Sequence, residues 1–234
     1  MKIIALVPIK LNNERTPGKN TKCFSDGTPL MYFVQEKLLQ VNDIDKIYLY
    51  CSSDDVKPFV LDGIEYLKRP KHLDSPTTTF NEIFDCFYKT VDADIYVTAF
   101  ATAPFISLSR YVECVRAVKS GQYDSAFTAV KVQDFLWDES GQAINFNPKH
   151  VPRTQDLPPL YSESGGLYVL TKEAWQKLGR KMGENPYKIF ISNIEATDID
   201  YPDDFELADV IYQHIIKITP PPRVESSCTG AVNG

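Results

Sequence analysis

The chain has 234 residues with a formal net charge of −6, and 43% of it is apolar, a length that suits one α/β domain, or one with a sizeable insertion, around a buried core. The acidic balance gives no general attraction to nucleic acid or anionic membrane, so any cationic site has to be local, and no stretch approaches the roughly 20 apolar residues of a membrane helix. The apolar run in "MKIIALVPIK" is too short for a signal peptide, and Cys23, Cys51, Cys86, Cys114 and Cys228 lack the spacing of a zinc site or disulfide framework, which together predict a cytoplasmic protein with reduced thiols and neither nucleic acid nor membrane as partner.

"KIIALVPI" reads as a first strand. It runs into "ALVPIKLNNERTPGKN", residues 5–20, where Lys10, Arg15 and Lys19 crowd together with Pro17 and Gly18. Leu30, Val34, Leu38 and Val41 then recur at helical spacing, "DKIYLYCSS" is a second strand and "IEYLKRP" a short third. Phe80, Ile83, Phe84 and Phe87 mark a second helix, followed by the strand "DIYVTAF", a helix carrying Leu108, Val112, Val115 and Val118, and the strand "SAFTAVKVQ". This alternation predicts an α/β fold with a mostly parallel, Rossmann-like sheet and helices on both faces.

Around residue 133 the helical period stops, and a stretch rich in proline and turn formers reads as a protruding hairpin excursion over about 133–164. "GGLYVLT" resumes a strand, "KEAWQKLG" a short helix and "YKIFIS" another strand. "YPDDFELADVIYQHI" closes the fold as a helix, with Pro202 near its first turn and Asp203, Asp204 and Glu206 where the dipole favours acids. One domain over 1–218 is expected. Residues 219–234 show no apolar period and read as a disordered tail, partly foreign to the native chain.

In open α/β sheets ligands bind beyond the carboxyl ends of the strands, where the cationic loop lies. Its cations and N–H groups suit a polyphosphate, although neither the P-loop nor the G-x-G-x-x-G pattern is present. From the loop alone, phosphate binding and a solvated surface turn both stay open. In "TDIDYP" the two carboxylates of Asp198 and Asp200 share one side of an extended chain while Ile199 packs on the other. A divalent ion would relieve their repulsion, and Mg²⁺ commonly takes one or two carboxylates plus phosphates; the alternative is a pair of turn-forming aspartates. Tyr161 and Tyr168 read as core or hairpin aromatics, and His72, His150 and His214 share no spacing that suggests catalysis.

Four stretches, in order, resemble the cytidylyltransferases that activate acidic sugars, the acylneuraminate and 3-deoxy-manno-octulosonate enzymes. They are "VPIKLNNERTPGKN", "LKRP" with "HLDSPTTT", "TQDLPPLYSESGGLYVL" and "TDIDYPDDFELA", spread over residues 2–215. The resemblance implies a nucleotide-diphospho-sugar transferase fold and transfer of CMP from CTP to a sugar acid, with pyrophosphate released. It implies a nucleotide site of Lys10, Asn13, Arg15, Lys19, Asn20 and Arg69. Lys10 and Lys19 would carry catalysis by neutralising the triphosphate, Asn20 would fix the nucleoside and Arg69 would reach the cytosine. It further implies Mg²⁺ on Asp198 and Asp200, and a homodimer whose excursion crosses the interface. Thr102, Arg153, Gln155 and Ser164 are the expected acceptor residues, Arg153 being the excursion's only arginine and a charge-assisted partner for a carboxylate. Phe100, Ile106, Thr154 and Ser164 stand where the family has glutamine, arginine, arginine and asparagine. Other acceptors, such as a phosphonate or sugar phosphate, and an inactive nucleotide-binding protein on the same fold, are the alternatives.

Overall fold

Strand β1 (Ile3–Pro8) alternates its side chains between two cores. Ile3, Ala5 and Val7 join one cluster, and Ile4 and Leu6 join another on the opposite face, as the two-residue period of a strand requires. The first core is closed by helix α1 (Tyr32–Leu39) through Val34 and Leu38, and by α3 (Leu108–Lys119) through Tyr111, Cys114, Val115 and Val118. The second is closed by α2 (Phe80–Thr90) through Phe84 and Phe87, and by α4 (Lys172–Leu178) through Trp175. Each fully buried phenylalanine contributes about 1.5–3 kcal/mol. Both faces of the sheet are thus covered, as the alternation of elements predicts.

The remaining strands are β2 (Lys46–Cys51), β3 (Ile64–Lys68), β4 (Ile95–Ala99), β5 (Ser125–Val132), β6 (Leu160–Thr171) and β7 (Pro186–Phe190), with α5 (Pro202–Ile211) last. They form one seven-stranded sheet in the order β3-β2-β1-β4-β6-β5-β7 in this computed structural model, which describes residues 1–217. Only β6 runs against its neighbours, antiparallel to β4 and β5. The cause is local: β5 and β6 are joined by the excursion instead of a crossover helix, and a parallel pair needs a crossover.

Pairing of β5 with β6 reaches Val132↔Leu160, so residues 160–164 are strand and the irregular excursion is 133–159, shorter than expected. Within it Trp137 bridges Ala143, and the rings of Phe135 and Trp137 pack on Phe146 at 4.7 and 5.1 Å. A third cluster of Phe24, Leu30, Phe33, Phe105, Ile199 and Phe205 ties α5 to the loop that follows β1. The expected tail over 219–234, including Cys228, lies outside the described residues. No helix among the described residues is long and apolar enough to cross a membrane.

Candidate active site

β1 ends at Pro8, and the loop after it turns at Gly18, whose φ of 67° lies in the left-handed region that glycine tolerates best. The turn Lys19–Thr21 follows. Asn20 ties this loop to itself, its Nδ2 donating to the Lys10 carbonyl at 2.8 Å and to Asn13 Oδ1 at 3.5 Å. Lys19 is only 6% exposed, and its Nζ donates to the Ile199 carbonyl at 2.6 Å and to Asp200 Oδ1 at 3.0 Å. Arg15 reaches the other oxygen of that carboxylate at 2.8 Å, and the Thr16 hydroxyl donates to the Asp200 carbonyl at 2.9 Å. The loop's cations therefore meet the acidic segment directly. A buried ammonium needs such partners, and they account for this lysine without a helix dipole, since Lys19 lies in a three-residue turn and α1 begins only at Tyr32.

The segment 198–200 is fixed from several sides. Ile199 is fully buried, and its N–H donates to the Thr102 carbonyl at 2.9 Å. Asp204, in the first turn of α5, accepts from the N–H groups of Asp200 and Tyr201 at 2.9 and 2.7 Å, so this expected helix-start acid also fixes the acidic segment. Solvent reaches Asp198, yet the surrounding protein raises its pKa by desolvation; the charge of Asp200 adds to this and the Thr102 hydroxyl opposes it. A Cβ placed on Gly165, which has φ +76°, would lie 3.9 Å from Asp198 Oδ2, so strand β6 passes close to this carboxylate.

Asp198 and Asp200 do not look alike once their partners are counted. Asp200 is neutralised by Lys19 and Arg15, whereas Asp198 has no cationic hydrogen-bond partner among the described residues. No group of three or more His, Cys, Asp or Glu side chains suited to a metal occurs among the described residues. The donor set fits a hard divalent ion held mainly by Asp198, with oxygens from a bound phosphate and water completing the shell.

Arg69 and Lys10 lie around a different acid. The Arg69 side chain is 1% exposed and donates from Nη2 to Asp74 Oδ1 at 2.7 Å, while Ser52 donates to Asp74 Oδ2 at 2.5 Å. Burial works to raise the Asp74 pKa, but the hydrogen bonds from Ser52 and Arg69, with the charges of Arg69 and Lys10, hold it below its ordinary value. Asn12 donates to the Asp74 carbonyl at 3.4 Å, so the cationic loop contacts this segment too. Arg69 Nε is buried with no hydrogen-bond partner among the described residues.

The expected acceptor residues do not converge. Thr102 joins Asp198, but Ser164 is turned between the strands, its Oγ 2.6 Å from Thr128 Oγ1 and donating to the Thr128 carbonyl at 3.1 Å. Its hydroxyl is satisfied inside the sheet. The Arg153 side chain is 72% exposed and grips Asp156 through two bonds of 2.7 and 3.0 Å; a neighbour three residues away wins over a distant site. Gln155 is exposed, and its carbonyl accepts from Gln133 Nε2 at 3.1 Å. Neither touches Thr102 or Asp198 within the described chain.

Three other residues cluster around this part of β6. Tyr168 is 3% exposed, and the negative charge of Asp198 is among the influences that raise its pKa, after burial and Glu163. Its hydroxyl donates to Glu163 Oε1, which also receives Lys181 Nζ. Lys181 Nζ lies 3.1 Å from the Tyr168 hydroxyl and 4.6 Å from its ring centre. Lys181 sits in the connection between α4 and β7, where no periodicity marks it. Glu163 and Tyr168 would face opposite sides of a regular strand; the shift in β5–β6 register between Phe127 and Ala129 brings them together. The Gly165–Gly166 pair was the visible hint of that irregularity.

The chain matches a family model described as cytidylyltransferase over residues 4–218. It is 25% identical over 212 residues to N-acylneuraminate cytidylyltransferase A of Danio rerio, covering 86% of this chain and 49% of that protein. It is 25% identical over 185 residues to 3-deoxy-manno-octulosonate cytidylyltransferase of Acaryochloris marina, covering 72% of this chain and 73% of that one. Among solved structures it superposes on a CMP:2-keto-3-deoxy-manno-octonic acid synthetase complexed with CTP, with a TM-score of 0.66 at 15% identity, over 91% of this chain and 99% of the other. That likeness shows a shared Rossmann-like α/β fold. The chain spans about half the length of several curated relatives it matches, the Danio rerio protein among them. The family match takes in the cationic loop, Arg69, the excursion and the acidic segment alike, and on that span the chain belongs to the cytidylyltransferase family.

Proposed function

We propose that this protein transfers CMP from CTP to a sugar acid and releases pyrophosphate. The observation that carries the reading is the assembly of Lys19, Arg15, Asp200 and Asp198 at the end of the loop after β1. In this reading an acceptor hydroxyl bonds to the α-phosphorus as the bond to the β-phosphate oxygen breaks. Lys10, Asn13, Arg15, Lys19 and Asn20 hold the triphosphate and sugar, and Arg69 serves the base. Chemistry of this kind depends on positioning and on stabilising charge as it moves to the leaving group. Lys19 does both, because it fixes the segment bearing Asp198 while lending that segment positive charge.

Asp198 and Asp200 would hold Mg²⁺, which when bound neutralises phosphate charge and orients the α-phosphorus. Lys19 and Arg15 hold Asp200 in place. Asp198 then supplies the carboxylate whose desolvation a divalent cation relieves.

The protein is further read as a homodimer. Trp137, Ile144 and Val151 of the excursion are exposed, as are Tyr161 and Phe190, whose rings stack at 4.5 Å on the neighbouring sheet edge. Such apolar surface suits a second copy of the chain, and pairing would carry Arg153 and Gln155 to the partner's acceptor site. The deciding experiment is a matrix of nucleoside triphosphates against acceptors with magnesium, read by pyrophosphate release. CTP with a sugar acid is the expected active pair. A phosphonate or sugar phosphate as best acceptor would overturn the sugar-acid part alone, and no release in any cell would leave an inactive nucleotide-binding protein.

A further inference from the structure

Phe100, two residues before Thr102, places its ring 6.1 Å from Tyr168 and 5.5 Å from Phe80. Against this aromatic wall stand Lys181 and Glu163. The ammonium has three N–H donors, of which one meets Glu163 Oε1 and one the Tyr168 oxygen. The third has no partner among the described residues. Glu163 Oε1 receives both Tyr168 and Lys181, while Oε2 has no hydrogen-bond partner among the described residues. Both side chains keep contact with solvent, at 38% and 28% exposure. The pair as a whole is neutral, and its open edge presents one donor beside one acceptor.

We propose that Lys181 and Glu163, positioned by Tyr168, determine acceptor specificity by binding an uncharged branch that carries a donor and an acceptor together, of the acylamino or vicinal-diol kind. The inference rests on the acceptor reading given under the proposed function and deepens it. A second anionic group is disfavoured at this place, because Glu163 already occupies the ammonium and Asp198 adds negative potential at Tyr168. Rejection is strong in sites of this type, since a ligand lacking the matching groups leaves a partly buried donor and acceptor unpaired.

The test measures binding as well as turnover. N-acetylneuraminate and 3-deoxy-manno-octulosonate are titrated into the wild type, Lys181→Met, Lys181→Gln and Glu163→Gln, with CTP titrated separately and melting curves as the folding control. The expected result is that Lys181→Met and Glu163→Gln each weaken the better-bound sugar about tenfold or more. Lys181→Gln, which keeps a donor, loses less, and CTP binding stays within about twofold throughout. Unchanged sugar binding in both deletion variants, equal loss of CTP and sugar binding, or no sugar binding by the wild type would each overturn the inference. A wild type that binds sugar and CTP yet releases no pyrophosphate would instead overturn the proposed transfer, with the binding comparison still deciding the role of Lys181 and Glu163.

Discussion

Lys19 shows how a side chain singled out by its local sequence can take its contacts from a distant segment. Its position after a Pro-Gly turn marked it as functional, but its free-state partners are the Ile199 carbonyl and Asp200, 180 and 181 residues further on, which no local pattern reveals. Lys19→Ala should lower turnover by roughly a hundredfold or more, the scale of removing one preorganised donor from a transition-state site. Lys19→Arg should not restore it, because a planar fork does not fit a buried place shaped for a compact ammonium. Steady-state kinetics check both, and a kcat/KM for CTP within about threefold of wild type in Lys19→Ala would remove the loop assignment. Asp198 gives a pH-dependent counterpart. Its folded pKa is raised by desolvation first, so between the ordinary carboxylate value and the raised one the native state keeps a proton that the unfolded chain has released. Stability is therefore full at low pH and falls as pH climbs through that window. Asp198→Asn should accordingly melt higher than wild type at neutral pH without magnesium, lose that advantage below about pH 4, and be nearly inactive. Parallel melting curves across pH, with pyrophosphate assays, test the pair; a variant less stable than wild type at neutral pH would contradict the desolvation argument.

At the scale of elements, the strands and helices of the first 132 residues were legible because each buries one face at its own period, as Ile3–Ala5–Val7 against Ile4–Leu6 and Phe84–Phe87 show. The reversal of β6 was legible only as the absence of a crossover helix. The excursion's end at 159 was not, since "LYSESGG" carries no alternating pattern, and its strand character comes from pairing with β5. What the sequence concealed about the acceptor side has the same origin. Whether Ser164 or Glu163 faces the site depends on the shifted register, and a single-residue slip exchanges the two faces. The close approach of β6 to the 100–106 segment gives this element-level reading a test. A Cβ on Gly166 would lie 2.4 Å from Ile106 Cδ1 and 2.5 Å from Ala103 Cβ, and its carbonyl accepts the Phe100 N–H at 2.9 Å. Gly166→Ala must push that segment away, and with it Thr102, whose carbonyl holds Ile199. A loss of about 1–3 kcal/mol is expected in urea titrations, as for overpacking elsewhere, together with reduced turnover. An unchanged urea midpoint would mean that the two segments are not packed as described.

On the scale of the whole molecule, the proposed reading leaves the acceptor side of the single chain to be completed by a second copy. Thr102 and Asp198 lie together, but the excursion's Arg153 is 72% exposed and paired with Asp156, and a surface pair of that kind contributes little. It can be given up for a better-placed anion. The same excursion exposes Trp137 at 52%, and on the sheet Tyr161 at 45% and Phe190 at 48% stack on each other in the open. A second copy that covers these rings at about 800 Å² per subunit would bury the patch and bring Arg153 within reach of an acceptor held by its partner. The proposed dimer thus predicts a linked pair of effects. Tyr161→Asp with Phe190→Asp places charge on the covered surface while leaving both buried cores and the Lys19–Asp200 contact untouched. Sedimentation should change from dimer to monomer, the circular dichroism spectrum and CTP binding should persist, and acceptor KM should rise by about tenfold or more, the loss of one charge-assisted contact. A monomeric variant with wild-type acceptor KM would separate the dimer from the site, and a wild type that sediments as a fully active monomer would end the argument for pairing.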